Sequence, residues 1–295
     1  MRNPLADKVV DIKPSGIRKF FDIVSEMEDA ISLGVGEPDF DTPWHIRDEG
    51  IYSLEKGRTF YTSNAGLKDL KMEICNYIKR TQGITYDYNH EVIVTVGGSE
   101  AIDIALRAMI SEGGEVVIPQ PSYVSYEPCA ILANAVPVII ELKAENEFRL
   151  TAREVLDAVT DKTKVLILPF PNNPTGAIME KKDLEEVAKV VVEKDLFVIS
   201  DEIYAELTYK GKHVSIASLP GMKERTVLIN GFSKSYAMTG WRLGYACGPK
   251  AVMEQMLKIH QFAIMCAPTT SQYAAVEALR NGAEDVRQMR EAYNQ

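Results

Sequence analysis

Short apolar runs recur along the chain from residue 92 onward, with polar or small residues between them. The runs cover 92–96, 116–118, 136–140, 165–168, 197–200, 227–229 and 243–247. Successive β-branched residues and leucines without polar alternation are typical of strands that are buried on both faces. The sequence therefore predicts a set of buried strands.

Helical periodicity fills several of the intervals around these runs. The spacing of apolar residues predicts helices after Pro43, over 67–80, from 97 onward, over roughly 182–193, and from Glu284 onward. Strands that alternate with helices over such a length are typical of an α/β domain with a mostly parallel sheet. No repeat with a fixed period is present in the sequence.

The composition and net charge of the chain limit the classes of protein to which it can belong. A chain of 295 residues with 46% hydrophobic and 25% charged residues can bury a large core, as one large domain or two ordinary ones. The formal charge of −9 argues against nucleic acid as a partner, because phosphate backbones attract clustered lysine and arginine. No stretch approaches the roughly 20 apolar residues of a membrane helix, so no membrane association is expected.

Cysteine and histidine spacing bears on location and metal binding. The four cysteines form no Cys-x-x-Cys pair, which favours free thiols in a reducing compartment. The four histidines form no ligand pair at helical spacing, so no metal site is expected. The N-terminus lacks the apolar segment of a secretion signal. These features predict a cytoplasmic protein.

Polar residues that could carry chemistry stand where the predicted strands end. In parallel α/β sheets, ligands bind beyond the carboxyl ends of the strands. The sequence therefore predicts that these residues converge on one site. They are Gly98, Ser99, Glu100, Tyr123, Asn173, Asp201, Tyr204, Ser233 and Lys234.

Lys234 and Arg242 follow the apolar run 227–229. A lysine that is partly desolvated has a pKa below about 10.4 and can attack a carbonyl group as a neutral amine. An arginine binds phosphate through its fork of N–H donors. Taken alone, the pair is also compatible with ordinary surface charge around a loop.

Three further features of the strand ends suggest a ligand. Glycines 97 and 98 with Ser99 open a helix, and free N–H groups at a helix start can bind phosphate. Asp201 ends an apolar strand, where a carboxylate is costly unless a cation pairs with it. Tyr123 offers a face for stacking. Each feature alone is equally explained by capping, structural pairing or core packing.

Asn173 and Tyr204 supply donors that could hold a phenolate oxygen. Taken with the phosphate, cation and stacking groups, they describe a ligand with a phosphate, an aromatic ring, a basic ring nitrogen, a ring hydroxyl and an aldehyde. Pyridoxal 5′-phosphate matches that description, with Lys234 bonded to the aldehyde carbon and Asp201 beside the protonated ring nitrogen.

Several motifs in the chain occur together and in order in one family. They are Gly-Glu-Pro-Asp-Phe at 36–40, Tyr-Thr-x-x-x-Gly at 61–66, Asn-Pro-Thr-Gly at 173–176, Asp-Glu-Ile-Tyr at 201–204 and Ser-Lys-x-Tyr-Ala-Met-Thr-Gly-Trp-Arg at 233–242. From about residue 30 onward the sequence resembles the fold-type-I pyridoxal-phosphate aminotransferases of the class I/II family. Within that family it is similar to bacterial aspartate and aromatic aminotransferases.

The resemblance implies a three-layer α/β/α fold around a mostly parallel, mixed sheet. It implies an N-terminal segment over 1–45, a large cofactor-binding domain over 46–282, and over 283–295 the start of a helix toward a small domain. That small domain is largely absent from the sequence. The arginine that clamps the substrate carboxylate lies in the absent part of the family pattern, so we expect weak transamination by this chain.

The resemblance also assigns roles to the site residues. Lys234 is the catalytic lysine, Asp201 keeps the ring nitrogen protonated, and Tyr204 acts with Asn173 on the ring oxygen. The remaining cofactor contacts implied are stacking by Tyr123 and phosphate binding by the backbone amides of Ser99 and Glu100, by Arg242 and, from the neighbouring subunit, by Tyr61. Ser233 is also implied to bind the cofactor. Gly34 and Asn173 are implied to lie against the substrate.

The implied reaction moves an amino group from an L-amino acid to a 2-oxo acid in two half-reactions, within a homodimer that shares its active sites. Two alternatives remain open. One is a lyase of the same fold that cleaves a C–S bond at Cβ, and the other is a non-catalytic binding domain that keeps the cofactor fold. One departure from the family pattern concerns the phosphate site: Gly231 stands where many members carry a serine. Ser233, backbone amides or water are the candidates to replace it.

Overall fold

The computed structural model describes residues 2–14, 27 and 36–295 of the chain. The strands are β1 Val92–Thr95, β2 Glu115–Gln120, β3 Val136–Glu141, β4 Thr163–Leu168, β5 Phe197–Asp201, β6 Thr226–Gly231 and β7 Gly244–Cys247. The helices in the described part are α1 Asp7–Val10, α2 Trp44–Glu55, α3 Lys68–Gln82, α4 Gly97–Met109, α5 Tyr126–Leu132, α6 Ala152–Ala158, α7 Lys181–Glu193, α8 Lys250–Ala263, α9 Thr269–Asn281 and α10 Ala283–Tyr293.

The seven strands form one sheet in the order β1-β7-β6-β5-β4-β2-β3. Strands β2 to β6 are parallel to one another, whereas β7 runs antiparallel to both β1 and β6. The predicted mostly parallel, mixed sheet is thus confirmed. Because β7 is reversed, its amino end lies at the edge where β6 has its carboxyl end, with Gly231 paired to Gly244.

Helices cover both faces of the sheet. One face packs against α4, α5 and α8, and its core runs from Ile93 to Ile118 across the sheet. The opposite face packs against α3 and α9 near β1, β7 and β6, and against α6 and α7 near β4 and β5. The layers are therefore helix, sheet and helix, as the family resemblance implies.

The predicted strands and helices are all present, with ends that differ by up to two residues. Helices α1, α5, α6, α8 and α9 were not among the predicted helices. Helix α6 begins with a capping box in which Thr151 accepts from the Glu154 N–H and Glu154 accepts from the Thr151 N–H. Within the described residues, no helix has the length and apolar character needed to cross a membrane.

Glycines allow the start of α4 to lie directly against the sheet. A Cβ on Gly244 would lie 2.7 Å from the Gly97 carbonyl carbon and 2.7 Å from the Gly98 nitrogen. A Cβ on Gly231 would lie 3.0 Å from the Gly244 Cα and 3.0 Å from the Leu243 oxygen. A side chain at position 231 would therefore lie in close contact with β7.

We predict that Gly244→Ala lowers the free energy of unfolding by about 1–3 kcal/mol, because the added methyl group forces α4 away from β7. Urea unfolding followed by circular dichroism measures the change. Gly240→Ala is the control, since no atom lies within 4 Å of the Cβ position at Gly240. Equal stability of the two variants would contradict the close approach of α4.

Candidate active site

A cleft of about 940 Å³ lies at the carboxyl edge of the central strands, large enough for a cofactor or small substrate. It brings together nine residues that the sequence placed at strand ends or beside them. These are Gly98, Ser99, Tyr123, Asn173, Asp201, Tyr204, Ser233, Lys234 and Arg242. Arg242 reaches this edge because it precedes the reversed strand β7.

Two of the predicted site residues have side chains outside this cleft. The Glu100 side chain points into the protein, where its carboxylate accepts from the Val96 N–H at 2.5 Å and contacts His260 Nδ1 at 2.5 Å. Tyr61 lies outside the cleft and is 76% exposed. Gly34 lies outside the described residues. The role implied for Glu100 is to offer its backbone amide to the phosphate, and this residue lies in the first turn of the helix that begins at Gly97.

Asp201 is the last residue of β5 and is buried. Its carboxylate accepts hydrogen bonds from the Tyr126 hydroxyl at 2.7 Å and from the Ile203 N–H at 3.2 Å. Burial raises the pKa of Asp201, which these two hydrogen bonds oppose. A cation brought into the cleft beside Asp201 would stabilise its ionised form, since a buried carboxylate needs such a partner.

Lys234 lies across the same cleft. Its Nζ donates to the Gly36 carbonyl oxygen and lies 5.7 Å from the centre of the Tyr204 ring. Burial lowers the pKa of Lys234, Arg242 lowers it further, and the charge of Glu37 opposes the shift. A larger fraction of neutral amine is therefore present at neutral pH than for an exposed lysine, which favours attack on a carbonyl group.

The start of α4 and Arg242 together form an anion site. No side chain caps this helix, so the N–H groups of its first turn have no partner within the helix. The Arg242 guanidinium lies so near that a Cβ on Gly97 would be 2.9 Å from Arg242 Nη2. Free N–H groups, the helix dipole and a guanidinium are the groups that bind phosphate.

Aromatic residues line the wall between these groups. Tyr123 packs edge-to-face on Tyr126, with ring centres 5.6 Å apart. Burial raises the pKa of the Tyr204 hydroxyl, so this hydroxyl stays protonated and able to donate a hydrogen bond.

Sequence reasoning missed Tyr126 and Glu37. The signal for Tyr126 is its place three residues after Tyr123, which puts both rings on one side of the turn into α5. Glu37 lines the cleft beside Lys234 and belongs to the Gly-Glu-Pro-Asp-Phe motif. Glu37 affects the pKa of Lys234 because two residues that are distant in the sequence come together in the fold, and a short motif does not reveal such a contact.

The residues of the cleft fit pyridoxal 5′-phosphate. The anion site suits the phosphate, the buried carboxylate of Asp201 suits a protonated ring nitrogen, and the Lys234 amine suits the aldehyde. Tyr204 and Asn173 also line the cleft, where they can meet the ring oxygen. Each functional group of the cofactor thus has a partner of matching chemistry in this one cleft.

Comparison with known proteins agrees with this site. The family model for aminotransferase class I and II matches residues 28–295. A putative aminotransferase YugH of Bacillus subtilis is 52% identical, over 99% of this chain and 76% of that protein. An aspartate aminotransferase of Pyrococcus abyssi is 47% identical, over 98% of this chain and 75% of that protein.

Among solved structures, aspartate aminotransferase from Thermus thermophilus with maleate superposes with a TM-score of 0.95 at 37% identity. The match covers 100% of this chain and 78% of that one. The family match and the relatives therefore support a function as well as a fold. The chain belongs to the class I and II aminotransferases and is a pyridoxal-phosphate-dependent enzyme that transfers amino groups between amino acids and oxo acids.

Proposed function

We propose that Lys234 and Asp201 are the groups on which amino transfer in this chain depends. The observation that carries the proposal is their placement in one cleft, with a lysine of lowered pKa and a buried carboxylate that lacks a cationic partner among the described residues. When bound, the cofactor supplies a conjugated, protonated ring that withdraws electrons from the substrate Cα.

Lys234 moves the proton in this proposal. Its neutral amine takes the proton that leaves the substrate Cα and returns it to the carbon that becomes the site of the transferred amine. The positive charge of Arg242 adds to the lowering of the pKa of Lys234. The protonated amine therefore gives up its proton readily when it delivers it to the second carbon. Ser99 and the amides of α4 hold the phosphate, and this anchoring keeps the reacting atoms aligned with Lys234.

Asp201 and Tyr204 set the electronic state of the ring. The Asp201 carboxylate holds a proton on the ring nitrogen, while Tyr126 fixes the orientation of that carboxylate through its hydrogen bond of 2.7 Å. Tyr204 and Asn173 donate to the ring oxygen, and Tyr123 stacks on the ring face. Each of these roles follows from a group that lines the cleft.

We predict that the purified chain with added pyridoxal phosphate shows a visible absorption band that borohydride fixes covalently at Lys234. Lys234→Ala removes the covalent attachment because no other lysine lines the cleft among the described residues. Peptide mass spectrometry after reduction identifies the modified residue. Lys212→Ala, at an exposed lysine outside this cleft, is the control and keeps the attachment. Attachment at a different lysine would contradict the proposal.

We predict that Lys234 reacts with free pyridoxal along a pH profile with its midpoint below about 10.4, the ordinary pKa of lysine. Burial and Arg242 lower the pKa of Lys234, so the reactive neutral amine forms at lower pH. Glu37→Gln moves the midpoint lower still, because the Glu37 charge opposes the shift. The initial rate of borohydride-trapped adduct, measured against pH, gives the midpoint.

Glu49→Gln serves as the control for the pH profile, since Glu49 of α2 pairs with Arg58. This variant keeps the midpoint of the unmodified chain. A midpoint at or above about 10.4 would show that Lys234 is solvated like a surface lysine.

We propose that two chains associate as a homodimer through an apolar patch formed by the loop at 60–61, the end of α8 and the loop that follows α8. The patch consists of Phe60, Tyr61, Phe262, Ile264 and Met265. Phe60 is 80% exposed and Phe262 is 87% exposed. Hydrogen bonds from Thr269 Oγ1 to the Phe60 oxygen and from Asn64 Nδ2 to the Met265 oxygen hold the loops together. Contiguous exposed apolar groups mark interaction surfaces, and Tyr61 within the patch is placed to reach a partner's site.

We predict that Phe262→Asp shifts the chain from dimer to monomer, because a buried charge in an apolar interface is strongly unfavourable. Sedimentation equilibrium measures the mass. Ile139→Asp, on the exposed side of the edge strand β3, leaves the dimer intact. If Phe262→Asp sediments like the unmodified chain, the patch is not the interface.

Two further assignments stay proposals. We infer that residues 46–282 form the cofactor-binding domain, since every cleft residue that is proposed to bind the cofactor within this chain falls between Gly98 and Arg242. We also infer a cytoplasmic location, because all four cysteines are free thiols.

A further inference from the structure

Two consecutive carboxylates, on the last residue of β5 and on the residue after it, have different surroundings. Asp201 lines the cleft, whereas Glu202 is absent from its lining and is 1% exposed. Successive residues of an extended chain point to opposite sides, so Glu202 lies behind the residue that is proposed to meet the cofactor ring. A second buried carboxylate at this point is costly unless hydrogen bonds satisfy it.

Three side chains satisfy the Glu202 carboxylate. Its Oε1 accepts from the Ser200 hydroxyl at 3.0 Å and from the Ser215 hydroxyl at 2.6 Å. Its Oε2 lies 2.7 Å from Nε2 of His213. Ser200 and Ser215 are both nearly fully buried. Glu202 therefore ties the end of β5 to the loop at 213–215, in a setting where a hydrogen bond is shielded from water.

This arrangement differs from a nucleophilic triad. In such a triad the imidazole lies between the hydroxyl and the carboxylate, so that it can take the hydroxyl proton. Here the carboxylate lies between the hydroxyl of Ser215 and the imidazole of His213. The cluster is thus built to hold Glu202 and has no activated serine.

The backbone of Glu202 connects the cluster to the active-site turn. Its N–H donates to the Ile229 oxygen of β6 at 2.8 Å, and its carbonyl accepts from the Ala205 N–H at 2.9 Å. Asp201 precedes Glu202, and Tyr204 follows two residues later and leads into a short 3₁₀ turn at Ala205–Leu207. The position of Glu202 therefore determines the path of the backbone that carries both cleft residues.

We propose that Glu202, held by His213 and Ser215, is a positioning residue that orients Asp201 and Tyr204 toward the cofactor ring. The proposal rests on the roles proposed above for Asp201 and Tyr204. It predicts that loosening the cluster tilts the bound ring and weakens cofactor binding while the fold remains. The neighbouring charge of Glu202 also adds to the burial that raises the pKa of Asp201.

The test uses the full chain with bound pyridoxal phosphate in three variants: Glu202→Gln, His213→Gln and Ser215→Ala. Circular dichroism in the visible band of the lysine-bound cofactor reports the orientation of the ring within the protein. Fluorescence titration gives the dissociation constant, and thermal unfolding reports stability. His45→Gln is the matched control, since His45 contacts Glu277 at 2.7 Å and Asp285 at 3.0 Å on α9 and α10, away from the cleft.

We expect Glu202→Gln to reduce the visible circular dichroism per bound cofactor and to weaken binding about tenfold, the size of one lost buried hydrogen bond. His213→Gln and Ser215→Ala change both quantities in the same direction, whereas His45→Gln changes neither. Should Glu202→Gln fail to fold, Ser215→Ala decides the matter, because it removes a single hydroxyl.

Unchanged dichroism and affinity in the folded variants, with only a lower melting temperature, would show a purely structural cluster and overturn the proposal. Failure of the proposed function has a different signature. In that case the unmodified chain itself shows no visible band with pyridoxal phosphate, or keeps its band in Lys234→Ala.

Discussion

The burial of Asp201 at the end of β5 is the constraint on which the site depends. A carboxylate among apolar strands is unfavourable unless donors and a cation surround it. The Tyr126 hydroxyl and the Ile203 N–H supply two donors, and the cleft leaves room for a protonated ring nitrogen. The raised pKa of Asp201 reflects the same burial, which a cationic ring would offset. The lack of a cationic partner for Asp201 among the described residues therefore indicates the cofactor more directly than the shape of the cleft does.

The reversed strand β7 brings the second half of the site to that carboxylate. Its amino end places Arg242 beside the start of α4, and the absence of a side chain at Gly244 lets the helix approach the sheet. The proposed phosphate binding thus depends on backbone contact between helix and strand. Lys234 and Arg242 both lie on the connection between β6 and β7, so one loop carries the residues that are proposed to contact the aldehyde and the phosphate of the cofactor.

The sequence predicted the strands, the cleft at their carboxyl ends and most of its lining, because apolar runs and the residues after them are local signals. Other features depend on contacts between residues that are distant in the sequence. The inward turn of Glu100 requires His260 on α8, and the cluster around Glu202 requires a loop that follows β5. Gly231 departs from the family pattern, and its close contact with β7 is visible only in the fold. Helices α8 and α9 were not predicted from the sequence.

The most direct test of the account is a single half-reaction. The chain carrying pyridoxal phosphate is mixed with one L-amino acid, from a panel that includes acidic and aromatic members, and no 2-oxo acid is added. The account predicts that the visible band changes to that of the aminated cofactor, with one equivalent of the matching 2-oxo acid released per site. Release of ammonia with an unchanged cofactor would indicate a lyase. No spectral change with any amino acid, despite a bound cofactor, would contradict amino transfer by this chain.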